Sequence, residues 1–449
     1  MLNFIWTGLL LAGVIVAGIT GKFDALNQAV FTSAKGAVMD IALPLVGTMA
    51  LWLGLMRLAE KSGLIAVMAR LIRPVMQRLF PEVPPADPAM SSMMMSIAAN
   101  MLGVSNAATP LGLKAMGELN RLNAGAGSAS NAMCMFLALN TSAVQLVPAT
   151  AMNILAINGS RNPTAIIAPT LLATGIATVC AVVIVKVLER LPVFARQNPH
   201  PLPKAALPAH GAPPAGSTAP DPAPALTALA RLPPWSATLL ILLALFLGFV
   251  FLRSLFPELI RRQSALPNAP GFPANLFRAF SPLVVPFLIA AFPLYAAGRG
   301  VPVFSEFVEG AKEGFQIAVR IIPFLVGILV AIGVFREAGA LEVLQRLLAP
   351  VFKGLNAPVD LLPMILMRPL SGSGSIAVLS DLVKRFGPDH LISYTAATIY
   401  GSAETTFYVV AVYFGSVNVT RTRHAIPAGL LADLAGIIAA IACCRLLFG

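Results

Sequence analysis

The residues best suited to chemistry are a glutamate set among hydroxyls, in Tyr400-Gly401-Ser402-Ala403-Glu404-Thr405-Thr406, and an arginine heading a serine–glycine run, Arg368-Pro369-Leu370-Ser371-Gly372-Ser373-Gly374-Ser375. Both lie in strongly apolar surroundings. A charge held in hydrocarbon is expensive and is kept where it binds, carries a proton or pairs. Glu404 can hold a cation, relay a coupling proton or accept hydrogen bonds from a solute; the structural alternative is a fixed ion pair with Arg368. Arg368 presents a planar fork beside the start of a half-helix, a combination suited to a carboxylate or phosphate. The alternative is a snorkelling arginine near the membrane surface. Ser371, Ser373, Ser375, Thr405 and Thr406 add hydroxyls to the same two segments.

A second inventory carries no charge. Asn100, Ser105, Asn106 and Thr109 fall in Asn100-Met101-Leu102-Gly103-Val104-Ser105-Asn106-Ala107-Ala108-Thr109-Pro110; Asn140, Thr141 and Gln145 fall in Asn140-Thr141-Ser142-Ala143-Val144-Gln145. Such donors and acceptors suit a hydroxylated or heterocyclic solute, or replace the water shell of an ion. Hydrogen bonding between helices is the competing use. Asp433, well inside the last apolar segment, is a second candidate for the coupling ion beside Glu404, with proton or sodium as that ion.

Other chemistries are not supported. The serine–glycine run lacks the Gly-Lys-Ser/Thr ending of a phosphate-binding loop. His200, His210, His390 and His424 form no cluster, so neither a catalytic residue nor a metal site is expected. Met93 to Met95 read as packing. Cys134, Cys180, Cys443 and Cys444 lie in apolar segments without redox or zinc spacing and read as buried free thiols.

Positioning these groups falls to membrane helices. Apolar residues make up 57% of the 449 positions and charged residues 11%, and mean hydropathy is +0.82. No water-soluble domain has that balance. The net charge of +12 is spread over loops, which fits membrane-flanking cations and gives no nucleic-acid surface. Apolar segments of about 20 residues, enough to cross a bilayer, fall near residues 2–21, 37–58, 128–157, 164–188, 236–256, 279–298, 315–336, 391–416 and 425–447. The first reads as a retained helix, since it lacks a basic leader and a small-residue cleavage site.

Two stretches repeat without a gap. Gly63-Leu-Ile-Ala-Val-Met-Ala-Arg70-Leu-Ile-Arg-Pro74-Val75 overlays Gly339-Ala-Leu-Glu-Val-Leu-Gln-Arg346-Leu-Leu-Ala-Pro350-Val351. Each copy is amphipathic and carries arginine, suited to the membrane interface. Behind each comes a Gly/Ser/Asn/Pro break that predicts a re-entrant hairpin, because unpaired backbone is tolerated in a bilayer only beside protein or water. A straight helix with small residues for close packing is the alternative. The fold class expected is all-α and polytopic: about nine spans in two inverted repeats, each with an interfacial helix, a re-entrant hairpin and a broken transmembrane helix. The domains expected are an N-terminal half at 1–190, a Pro/Ala-rich linker at 191–234, two connecting helices at 235–299 and a C-terminal half at 300–449.

Asn100-Met-Leu-Gly-x-x-Asn-Ala-Ala-Thr-Pro110, Arg368-Pro-Leu-Ser-Gly-Ser-Gly-Ser375 and Tyr400-Gly-Ser-Ala-Glu-Thr-Thr-Phe-Tyr408 resemble the motifs of spore maturation proteins A and B, joined here in one chain. The first covers roughly 1–190 and the second roughly 300–449. Both fall in the nucleoside recognition, or Gate domain, group, which is similar to part of the concentrative nucleoside transporters and of ferrous iron transporter B. The resemblance implies a membrane transporter fold and names no solute. The fusion, the long linker and the helices at 236–298 depart from the separate proteins.

The function expected is secondary transport of a small polar solute, anionic or nucleoside-like, at a midplane site between the hairpins. The alternative is a non-transporting membrane scaffold or regulatory protein. The expected setting is a bacterial inner membrane, with N-terminus and linker on the cytoplasmic side; the expected partners are lipid, the solute and a second copy of the chain.

Overall fold

The computed structural model describes residues 2–103, 105–123, 127–195, 232–255, 272–354 and 357–448; the regular structure among them is helical, with one isolated bridge between Ser128 and Arg421. Val104 and most of the expected linker, 196–231 with His200 and His210, lie outside the described residues. Helix is the economical choice for such a sequence, because it satisfies every backbone group within one segment.

The first half contains α1 (Leu2–Thr20), α2 (Phe23–Gly36), α3 (Leu43–Lys61), α4 (Leu64–Leu79), α5 (Pro88–Leu102), α6 (Ser105–Arg121), α7 (Asn131–Thr141), α8 (Ala149–Ile157), α9 (Ile167–Leu188) and the short α10 (Pro192–Ala195). Two helices follow, α11 (Pro234–Leu255) and α12 (Phe272–Gly298). The second half contains α13 (Val303–Glu337), α14 (Ala340–Gly354), α15 (Leu362–Met367), α16 (Gly372–Phe386), α17 (Leu391–Ser402), α18 (Thr406–Gly415) and α19 (Ala425–Phe448).

Among the described residues six helical stretches are long and apolar enough to cross a bilayer: Phe23–Lys61, Pro163–Leu188, Pro234–Leu255, Ala279–Gly298, Val303–Glu337 and Ala425–Phe448. The other three expected segments differ. The apolar part of α1 is shorter, at Trp6–Thr20. Segments 128–157 and 391–416 are each interrupted, α7 from α8 and α17 from α18, where Asn140 to Gln145 and Glu404 to Thr406 place polar residues.

Gly63 and Gly339 hold the same conformation, φ +81 and +88, each between a long helix and an amphipathic one. A residue without Cβ reaches that region without strain, so the chain turns sharply. Next in each half comes a helical hairpin. In hairpin one, α5 and α6 pack together around a turn at Gly103, φ +78, and Arg121 clasps Asp87 at the base at 2.8 Å. Among the described residues the break is at Gly103, and α6 continues through Pro110, a residue that the Gly/Ser/Asn/Pro pattern puts in the break. In hairpin two, α15 and α16 meet around Arg368 to Ser371, with Ser371 Oγ accepting from the Gly374 N–H at 3.0 Å.

Helices of the first half pair with helices of the second that run in the opposite direction. At one end the Ala129 N–H donates to Arg421 O at 3.0 Å, joining the chain before α7 to the chain after α18. At the other end Asp389 accepts from Ser160 Oγ at 2.6 Å and from the Arg161 N–H at 3.1 Å, joining the chain after α8 to the chain before α17. Burial pushes the Asp389 carboxyl up, but these bonds and one from Tyr394 outweigh it and hold the group below the ordinary aspartate range. Arg57, late in α3, meets Glu306, early in α13, at 2.8 Å, and Ser33 faces Gly333 at the far end of that helix. Arg423, before α19, donates to Phe194 O, after α9, at 2.8 Å.

Asp40–Lys384 at 3.0 Å and Arg336–Asp381 at 2.6 Å gather the entry to α3 and the end of α13 around the end of α16. Hairpin two therefore opens toward the Asp389 end. The base of hairpin one lies beside Ser130, at the Ser128 end.

Candidate functional site

The tip of hairpin one and the two helix breaks border one cavity, and the tip of hairpin two reaches the second break through Arg368. A small cavity of about 30 Å³ is bounded by Asn100, Gly103, Thr141 and Gln145 from the first half and by Ser402 and Glu404 from the second. The Leu146 N–H donates to Met101 O at 3.0 Å and fastens the first break to the tip of hairpin one. A larger cavity of about 220 Å³ shares Gly103 and extends past Tyr400, Thr150, Asn153 and Trp52 to Arg57 and Glu60.

Arg368 is 4% exposed, and its Nη2 stands 3.4 Å from Glu404 Oε2, whose side chain is 45% exposed. The guanidinium lies 4.5 Å from the Tyr400 ring centroid, a cation–π contact, and its Nε is buried without a protein hydrogen-bond partner. That burial speaks against the alternative of a snorkelling Arg368 at the membrane surface. Its charge is neutralised on one side only, leaving one donor unsatisfied.

Asp433 is 2% exposed and staples the second break: it accepts from the Glu404 N–H at 3.3 Å and from Thr406 Oγ1 at 2.6 Å. Glu404 lies in the non-helical break just before α18, where no helix pairs its N–H, and a buried carboxylate is a fitting acceptor for it.

Several predicted site residues spend their polar atoms on structure. Asn140 accepts from Asn100 Nδ2 at 2.8 Å and donates to Phe136 O at 2.8 Å, which ties α7 to α5. Thr141 and Ser142 bond back to Ala138 O within their own helix. Ser371 caps α16, Ser375 donates to Ser371 O at 2.7 Å, and Ser373 is half-buried in that first turn. Thr405 and Thr406 are buried at the break. Thr109 is half-buried in the second turn of α6. The side chains of Ser105 and Asn106 lie outside the described residues.

Other groups at the cavities were not singled out in the sequence. Trp52 donates to Asn153 Oδ1 at 2.8 Å across the larger cavity, and Arg57 pairs with Glu306 and Glu313. A charge such as Arg57 within an apolar span was the available signal; its partners are some 250 positions away. Cys134, Cys443 and Cys444 are buried free thiols, and Cys180 is half-exposed.

The model of the nucleoside recognition (Gate) family matches residues 42–194 and 318–420. Spore maturation protein B of Bacillus subtilis is 45% identical over 166 residues, 37% of this chain and 93% of that protein. Spore maturation protein A of the same organism is 41% identical over 184 residues, 41% of this chain and 93% of that protein. Two relatives, each matching nearly its whole length to part of one chain, agree with a fusion of the two. With its apolar helices, its two breaks and a family match over both halves, this multi-pass membrane protein belongs to the nucleoside recognition (Gate) family.

Proposed function

We propose that the protein is a secondary transporter of a small polar solute in a bacterial inner membrane, with its site where the hairpin tips meet the two helix breaks. The observation that carries this reading is the pair of cavities that both border Gly103, one lined by Asn100, Gln145 and Glu404, the other leading toward Arg57. Polar backbone breaks facing a cavity are how a membrane protein exposes binding groups at mid-depth. Arg368, with its unused Nε, recognises an anionic group of the solute, and Glu404 or Asp433 carries the coupling proton or sodium ion. A nucleoside is one candidate solute, named by the family's description.

Inverted repeats belong to this proposal and are supported by the opposed directions of α3 and α13, of the broken helices, and of α9 and α19. Limbs α5 and α16 have 15 residues each, about 22 Å of helix against a hydrocarbon core of roughly 30 Å, which supports re-entrant hairpins. Counting α1 and the two broken helices with the six long ones gives nine spans. The halves at 1–190 and 300–449 then flank the linker and the connecting helices at 235–299.

A ligand screen by thermal shift on purified protein tests the reading, followed by binding of a hit to Arg368→Gln and Glu404→Gln across pH and sodium. A hit whose affinity ignores both substitutions would remove the proposed site and leave the scaffold reading.

A further inference from the structure

The two hairpins lean on different neighbours. Hairpin one rests on its amphipathic helix, α5 against α4, and the 220 Å³ cavity separates its tip at Gly103 from Met49 and Trp52 of α3. Hairpin two rests on its long helix, α16 against α13, and an apolar void of about 90 Å³ lies between α13, α14 and α15, walled by Phe335, Leu344 and Leu366. With Gly63 laid on Gly339, α3 corresponds to α13 and α4 to α14, so each void sits where the other hairpin is packed. Both spaces are open rather than sealed, so a neighbouring limb can enter them, and two such spaces in complementary places call for one cause.

We infer that the hairpins stand at opposite ends of one swing, and that the Arg336–Asp381 and Asp40–Lys384 ion pairs are the latch closing the route at the Asp389 end. This rests on the transport reading. In the alternate state hairpin one folds onto α3 and closes the 220 Å³ cavity. Hairpin two leaves α13, fills the apolar void against α14 and opens a route beside Leu329, the counterpart of Leu53.

The lining of each void suits that use. The 90 Å³ space presents Leu, Ile, Phe and Met side chains, ready to receive an apolar limb, whereas the 220 Å³ space carries Arg57, Glu60 and Asn153, which hold water and a polar solute. The latch side chains are partly exposed, 26% and 19% in one pair and 59% and 34% in the other. Pairs of that kind are weak enough to break and reform.

The test uses the full chain with its four cysteines changed to alanine, carrying Leu53→Cys or Leu329→Cys, in sealed vesicles given a membrane-impermeant thiosulfonate on each side in turn. Leu53→Cys should react from one side only and Leu329→Cys slowly. Asp381→Asn or Lys384→Gln should slow the first and speed the second by about three- to five-fold, the effect of one weak ion pair on a two-state balance. Leu344→Trp, which fills the apolar void, should shift both rates the opposite way, and it decides the matter if the latch variants do not fold. Unchanged rates in folded latch variants, or a Leu344→Trp shift in the latch direction, overturn the swing. If solute binding still depends on Arg368 and Glu404 in that case, the transport reading stands. Rates that shift as expected in a protein that binds no solute strike the transport reading instead.

Discussion

Arg368 and Glu404 are unequal partners: the guanidinium is shut away at 4% exposure, while the carboxylate 3.4 Å from it opens to the cavity at 45%. The pair therefore neutralises a buried cation and still leaves an acceptor within reach of a solute, something a fully buried ion pair does not offer.

Changing either partner should separate recognition from coupling. Arg368→Gln is expected to weaken solute binding by about 10- to 100-fold, the range for losing a charged hydrogen bond. Arg368→Lys should also be impaired, since an ammonium lacks the planar fork. If Glu404 carries the coupling ion, Glu404→Gln should bind but lose dependence on pH or sodium. Single variants that unfold, rescued by the double variant, would make the pair a structural bridge.

Asp433 allows a cleaner division between staple and coupling group. Asp433→Ala leaves the Glu404 N–H and the Thr406 hydroxyl without their acceptor, and should cost about 1–3 kcal/mol in thermal unfolding. Asp433→Asn keeps one acceptor oxygen and should be milder. Retained stability with lost pH or sodium dependence in Asp433→Asn would assign the coupling ion there and away from Glu404.

His424 gives the protein a pH limit. It sits just ahead of α19, fully buried with neither ring nitrogen hydrogen-bonded. Burial, then the neighbouring Arg423 and Lys186, pull it down to about 4 from the ordinary 6.5. Between those values the unfolded chain binds the proton and the folded one does not, so stability is complete above pH about 6.5 and falls as pH drops toward about 4. His424→Leu should flatten that loss in melting curves and be nearly neutral at pH 7, because it removes unsatisfied polar atoms. A pH profile unchanged by the substitution would show that other groups set the limit.

Close approach of α3 and α13 depends on glycine. A Cβ at Gly314 would lie 2.7 Å from Ala50 Cα and 2.8 Å from Met49 O, both backbone. Gly314→Ala should destabilise by about 1–3 kcal/mol through overpacking, whereas Gly117→Ala, with nothing within 4 Å, should be tolerated. Equal melting temperatures would show that the two helices separate at little cost.

Removing residues 204–222 should leave folding and solute binding largely intact, since the proline-rich composition offers no apolar periodicity to pack. The cut spares Phe194, whose carbonyl accepts from Arg423. Loss of folded protein on size exclusion would show that the segment docks.

The sequence alone was enough for the properties that follow from local rules. Its hydropathy dictates membrane helices, Gly63 and Gly339 mark the same turn in both halves, and the polar runs at Asn140 and Glu404 locate the helix interruptions because small and polar residues disrupt an apolar helix wherever it lies. Only the tertiary structure decided how each polar atom is used. Asn140 looked like Asn100 in sequence, yet its amide is spent between helices while Asn100 also borders the cavity. Asp433 looked like an isolated carboxylate and is a staple, and Arg57 finds its acceptors some 250 positions downstream. A side chain's role depends on which helix face meets which, and that is set by packing between segments far apart in the chain, where no local pattern reaches.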